Sequence, residues 1–123
     1  MIINITGKCK AVTINNCKNV GVICTDVVAR VEIVGSSKVQ LQIQGACPII
    51  QIDKTDTGTV YLSDACLALE PSTLVYSSGC SGVNIVSPVE GAEDMAENPI
   101  PEQMKSQIVN GKLVTTIVVA GNE

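Results

Sequence analysis

The chain has 123 residues, of which 46% are hydrophobic, with two Tyr, no Trp, no Phe, no His and a net charge of −4. That length suits one domain with a core of aliphatic side chains and thiols. The charge and the scarcity of aromatics exclude a basic stripe or a base-stacking platform, so no nucleic-acid partner is expected, and no apolar run approaches the length of a membrane span.

At the amino end, Ile3 and Ile5 alternate with polar residues and Gly7 turns the chain, which reads as a partial first coil. No basic region, long apolar segment or cleavage signal marks Met1 to Ile5, so a soluble protein that is not secreted is expected. From Val12 to Leu62 one phrase recurs at an interval of 19 residues. Val12-Thr13-Ile14 leads through a polar corner to Val20-Gly21-Val22, Val31-Glu32-Ile33 leads to Val39-Gln40-Leu41, and Ile50-Gln51-Ile52 leads to Val60-Tyr61-Leu62. A looser copy follows as Leu74-Val75-Tyr76 and Val83-Asn84-Ile85. Each triplet alternates as a strand with one buried face does. With no helical window between copies, the repeat predicts a winding chain whose triplets stack in parallel about 4.8 Å apart, a β-helix filled by columns of Val, Ile and Leu. Asp53 to Thr59 forms the longest polar corner on this alignment and is expected to protrude as a loop. Residues 63–73 lengthen the interval again, with Glu70-Pro71-Ser72 as a turn signal.

The six cysteines contain no Cys-x-x-Cys, and without His they argue against a metal site. Cys24, Cys47 and Cys66 lie in the segments that join one copy to the next, while Cys17 and Cys80 lie in the polar corner. All six are expected to be reduced structural thiols that pack as small hydrophobes. No cofactor is implied.

After Val86 the composition changes. Ser87 to Gln103 holds three Pro, five of the twelve acidic residues and no basic one, which predicts an extended, solvated linker over 87–103. Residues 104–123 then carry Asn110-Gly111 between two β-prone runs, a strong hairpin signal. Two apolar strands alone are marginal in water, so the hairpin must dock, either on its own coils or on a second copy. The domain thus divides into coils (1–86), linker and hairpin.

Several of these segments resemble the C-terminal domain of the adenylyl cyclase-associated proteins. The resemblance runs from Asn16-Cys17-Lys18 through Val31-Glu32-Ile33-Val34, Ile52-Asp53-Lys54-Thr55-Asp56 and Val60-Tyr61-Leu62-Ser63. Its most specific marks are Pro99-Ile100-Pro101-Glu102-Gln103 and Gly111-Lys112-Leu113-Val114-Thr115-Thr116. It implies an all-β fold, a right-handed parallel β-helix whose C-terminal β-hairpin is exchanged between two chains to form a homodimer. It also implies binding of monomeric actin, the ADP form above all, with acceleration of nucleotide exchange, in a cytoplasmic, cytoskeleton-associated protein. The chain departs from the family pattern at Ser77 to Gly82, at Met104 and in the absence of an acidic residue near Val118.

On the matching positions the actin-binding candidates are Lys38, Asp53, Lys54, Thr55, Asp56, Glu102, Gln103, Lys105, Lys112, Thr115 and Thr116. The dimer-interface candidates are Pro99, Pro101, Ile108, Val109, Leu113, Val114, Ile117 and Val118. Enzymatic activity is not expected: without His there is no Ser-His or Cys-His pair, and Glu32, Asp53 and Asp56 sit at non-equivalent repeat positions. Two other readings are a structural dimerisation or scaffold module, and a GTPase activator like the tubulin-cofactor-C proteins. The latter use a Gln-x-Arg motif as an arginine finger. Here the residues read Gln40-Leu41-Gln42, and the sole guanidinium is Arg30.

Overall fold

A computed structural model of the chain describes residues 1–88 and 95–118. The repeat becomes seven strands, β1 (Ile2–Asn15), β2 (Lys18–Val34), β3 (Ser37–Ile43), β4 (Ile49–Asp53), β5 (Asp56–Tyr61), β6 (Leu74–Ser78) and β7 (Ser81–Ser87). Every pairing among them is parallel. β1 and β2 are long because each crosses from one face of the helix to the other. The first face stacks the start of β1, the start of β2, then β3, β5 and β7. The second stacks the end of β1, the end of β2, then β4 and β6.

The core is the set of inward columns that the repeat predicts. Val22, Leu41, Val60 and Ile85 stack on the first face, with Ile3 exposed at the open end of that column, and Val12, Val31, Ile50 and Val75 stack on the second. Val31, Leu41 and Ile50 are wholly buried. At roughly 1.5–3 kcal/mol for each fully buried aliphatic side chain, these columns are the main source of stability. Cys24, Cys47 and Cys66 are also wholly buried and are free thiols. Thr73 ties two of them together, since its hydroxyl donates to the carbonyl of Cys47 at 2.6 Å and lies 3.3 Å from that of Cys66.

The expected protruding loop at Asp53–Thr59 is not there. Asp56 to Thr59 belong to β5, and Gly58 takes the inward place held by Val39 in the coil before and Val83 in the coil after. Val60 therefore aligns with Leu41, two residues along from the sequence alignment. A glycine at an inward position, flanked by Thr on both sides, hides a strand from a hydrophobic pattern. The longer interval at 63–73 is real, and it holds a short helix, α1 (Asp64–Ala68), capped by Ser63, whose hydroxyl accepts from the Cys66 N–H at 3.3 Å.

The polar corner that leads from the second face to the first is built the same way in each coil. Asn16, Gly35, Lys54 and Gly79 have positive φ (53°, 60°, 48° and 63°), and so do Asn19, Lys38, Thr57 and Gly82 (53°, 53°, 61° and 65°). Between them a small donor, Cys17, Ser36, Thr55 or Cys80, returns its S–H or O–H to the carbonyl two residues earlier, at 3.0–3.4 Å. In three of the four bends that carbonyl, of Val34, Asp53 or Ser78, also accepts a backbone N–H from the coil before, so the side chain supplies its second donor.

Beyond β7 the segment expected to be a solvated linker is partly structured. β8 (Ala96–Pro99) runs antiparallel along β7, with Pro99 opposite Asn84, and Ile100 packs against the core. The hairpin follows as β9 (Gln103–Val109) and β10 (Lys112–Val118), in register from Val109–Lys112 to Gln103–Val118. Asn110 and Gly111 form its turn, with φ of 51° and 77°. Residues 119–123, the end of the expected hairpin segment, lie outside the described residues.

Candidate interaction surface

The polar corner collects Lys38, Asp53, Lys54, Asp56 and Glu102 from among the candidate residues onto one ridge. Lys38 and Lys54 are exposed because the left-handed backbone at each points the side chain out of the bend. Asp53, half-buried at the end of β4, accepts from the amide of Gln51 at 3.1 Å. Asp56, at the start of β5, accepts from the Ser81 hydroxyl of the next coil at 2.9 Å. Glu102 reaches the same ridge, its Oε2 accepting from the Gly82 N–H at 3.0 Å. Lys38 stacks beside Thr57, and Asp56 lies between Ser37 and Ser81, so the lysines and carboxylates of the ridge stand in separate columns with small polar residues as neighbours. Thr55 does not belong to this surface. It is buried, its hydroxyl bound to the Asp53 carbonyl, and acts as a post inside the bend.

The sequence reading missed Asn16, Lys18 and Asn19, which extend the ridge by one coil; their 19-residue spacing from Gly35, Ser37 and Lys38 is the signal that finds them. Beside the ridge the first face is hollowed into an open groove of about 490 Å³, with Asn19, Lys38, Gln40, Thr57 and Thr59 in its walls. Its lining mixes these amides and hydroxyls with the apolar side chains of Met1, Ile2, Val20 and Val39 and offers no reactive pair.

The hairpin carries the remaining candidates on two different faces, because residues directly opposite across the strands share a side. One side shows Met104, Ile108, Leu113 and Ile117 around a Ser106–Thr115 hydroxyl pair at 2.9 Å. Those four apolar side chains are 57–70% exposed, which leaves a large apolar surface facing water. The other side carries Gln103, Lys105, Lys112 and Thr116, interleaved with Val109, Val114 and Val118. Thr115 is therefore separated from Thr116 and the lysines. Val109, Val114 and Val118 are likewise separated from Ile108, Leu113 and Ile117. Pro99 faces β7 of its own chain, and Pro101 follows Ile100 toward the ridge.

The residues weighed for an arginine finger are not brought together. Gln40 and Gln42 stand on β3 in the first face, whereas Arg30 stands in the second face and is paired with Glu32. Burial raises the thiol of Cys24, with Cys9 nearby adding to the effect, and pushes that of Cys47 up to about 11. A buried thiol that holds its proton is a packing group, not a nucleophile.

A parallel β-helix of short coils, with a polar ridge along one corner and an exposed hairpin, defines the class of domain. The chain belongs to the family described as "Adenylate cyclase associated (CAP) C terminal", whose model matches residues 1–120. It is 42% identical over 120 residues to adenylyl cyclase-associated protein 1 of Bos taurus, covering 97% of this chain and 24% of that protein. It is 39% identical over 113 residues to adenylyl cyclase-associated protein 2 of Homo sapiens, covering 92% of this chain and 22% of that protein. The chain thus spans about a quarter of the length of these curated relatives. Among solved structures, the cyclase-associated protein of Cryptosporidium parvum superposes with a TM-score of 0.79 at 29% identity, over 95% of this chain and 69% of that one. No helix among the described residues is long and apolar enough to cross a membrane.

Proposed function

We propose that this domain binds monomeric actin, favours the ADP form and speeds its nucleotide exchange, acting in the cytoplasm on actin filament turnover. The observation that carries the reading is the family match over residues 1–120, together with the convergence of Lys38, Lys54, Asp56 and Glu102 on one exposed ridge. Its effect on nucleotide release arises from binding two states of actin with different affinity, not from bond chemistry in this chain. We further propose that the domain is a homodimer in which the hairpins are exchanged. The apolar side of the hairpin supports this, and so does β6, which ends its face with no further strand beside it among the described residues. Each copy offers both an unpaired edge and a hairpin to cover one.

The decisive measurement is release of a fluorescent nucleotide from monomeric ADP-actin as the chain is titrated in. Faster release that saturates near one chain per actin is the expected result. Binding without faster release would leave the domain as a scaffold that tethers actin, the second reading that an exposed hairpin favours. Absence of binding would remove actin as the partner.

A further inference from the structure

The chain turns from the second face to the first only where two residues take positive φ, and the last coil does so at Gly79 and Gly82. β8 and its extension run back along β7 toward this same corner. The Ile100 N–H donates to the Val83 carbonyl at 2.8 Å, and Glu102 accepts from the Gly82 N–H. Continuing the β7–β8 register places Pro101 beside Gly82, where the coil bends. The ring of Pro101 holds φ near −65°, and no residue from Met95 to Val109 has a positive φ. The returning strap therefore lacks the backbone conformation that the coils use at this corner.

The consequence is visible in what lies on either side. β9 begins at Gln103, directly after the hydrogen bond that Glu102 makes to the coil, and forms with β10 a sheet of its own. Around the corner, β6 keeps its outer edge unpaired among the described residues, with Leu74 and Tyr76 exposed. Had the strap bent as the coils do, β9 would run antiparallel along β6 of the same chain and cover that edge. It would need no linker at all.

We infer that Pro101 is the residue that keeps the hairpin from folding onto its own coils and so reserves both the hairpin and the β6 edge for a second copy. This rests on the exchange reading given above. A short, stiff connection favours exchange over self-docking because it cannot make the return turn. The acidic stretch before β8, for all its length, has no part in the choice, since the strap is already anchored on β7 when it reaches Pro101.

The test measures mass in solution by light scattering for the parent chain, a chain lacking residues 104–123, Pro101→Gly, and a chain with Gly-Ser-Gly-Ser inserted between Glu102 and Gln103. The insertion leaves every contact of the strap in place and serves if Pro101→Gly folds poorly. The parent is expected at twice 12.8 kDa and the truncated chain as a monomer. The two hinge variants are expected as monomers in which amide exchange is slow in both β9 and β6, the mark of a hairpin folded back. Hinge variants that stay as dimeric as the parent overturn the role of Pro101 while leaving hairpin exchange intact. Monomeric hinge variants with an unprotected hairpin overturn it as well. A monomeric parent, or a truncated chain that remains a dimer, removes the exchange reading and this inference together.

Discussion

At the scale of single residues, the corner shows what the repeat costs. A left-handed backbone is easy for Gly and tolerable for Asn, but a β-branched residue there is an outlier worth about 1–3 kcal/mol. Thr57, at φ 61°, is that outlier, and the equivalent place one coil away from Lys38 is held by Asn19. Thr57→Asn is accordingly expected to stabilise the domain by about 1 kcal/mol, read as a higher midpoint in chemical denaturation. A lower midpoint would show that the hydroxyl of Thr57 contributes more than its backbone costs. The Cys47 thiol gives a second handle. Its folded pKa of about 11 lies above the ordinary value of 9.0 because burial disfavours the thiolate. The folded state therefore holds a proton that the unfolded state releases, so stability is complete below pH 9 and falls as pH rises toward 11. The loss is about 2–3 kcal/mol. Denaturation at pH 8 and pH 10.5 should show this fall, and Cys47→Ala should be flatter over the same window. Equal slopes in the two chains would assign the fall to other groups.

At the scale of elements, the strands were legible where the inward residues are aliphatic and lost where they are not. Val31, Leu41 and Ile50 announce their columns through period-two alternation, and the parallel register follows from the 19-residue interval. Gly58 breaks the alternation, and the corner moved by two residues in the sequence reading as a result. β8 was hidden for a different reason: Ala96-Glu97-Asn98-Pro99 has the composition of a linker, and it is a strand only because β7 presents an edge to pair with. The hairpin, by contrast, is specified locally. Its two-residue turn needs φ > 0 at both positions, which Asn110 and Gly111 supply. Gly111→Ala is expected to weaken the hairpin by about 1 kcal/mol while leaving the coils unchanged, because nothing else touches that site. Hydrogen exchange should therefore quicken in residues 103–118 and stay constant in β2 to β5. Quickening in the coils would mean that the hairpin supports them.

At the scale of the whole molecule, the candidate site is divided between the coil corner and the hairpin. Lys54 stands on the corner ridge and Lys112 on the polar side of a hairpin that pairs with no coil of its own chain. The candidates were drawn together by a family resemblance; the fold assigns them to separate elements, and hairpin exchange would let a partner's hairpin complete the surface. Charge reversal at either lysine is expected to weaken actin binding by about 0.5–2 kcal/mol, as for charges at an interface rim. The informative step is to unfold and refold Lys54→Glu and Lys112→Glu chains as a mixture. In an exchanged dimer, each surface combines the ridge of one chain with the hairpin of the other. A mixed dimer then has one surface carrying both reversals and one carrying neither. Random pairing makes half of the dimers mixed, so about a quarter of all surfaces recover full affinity. A titration of actin against the mixture should show a tight phase of that amplitude, absent when either variant is refolded alone. If each chain instead used its own hairpin, every surface would carry one reversal and no tight phase would appear.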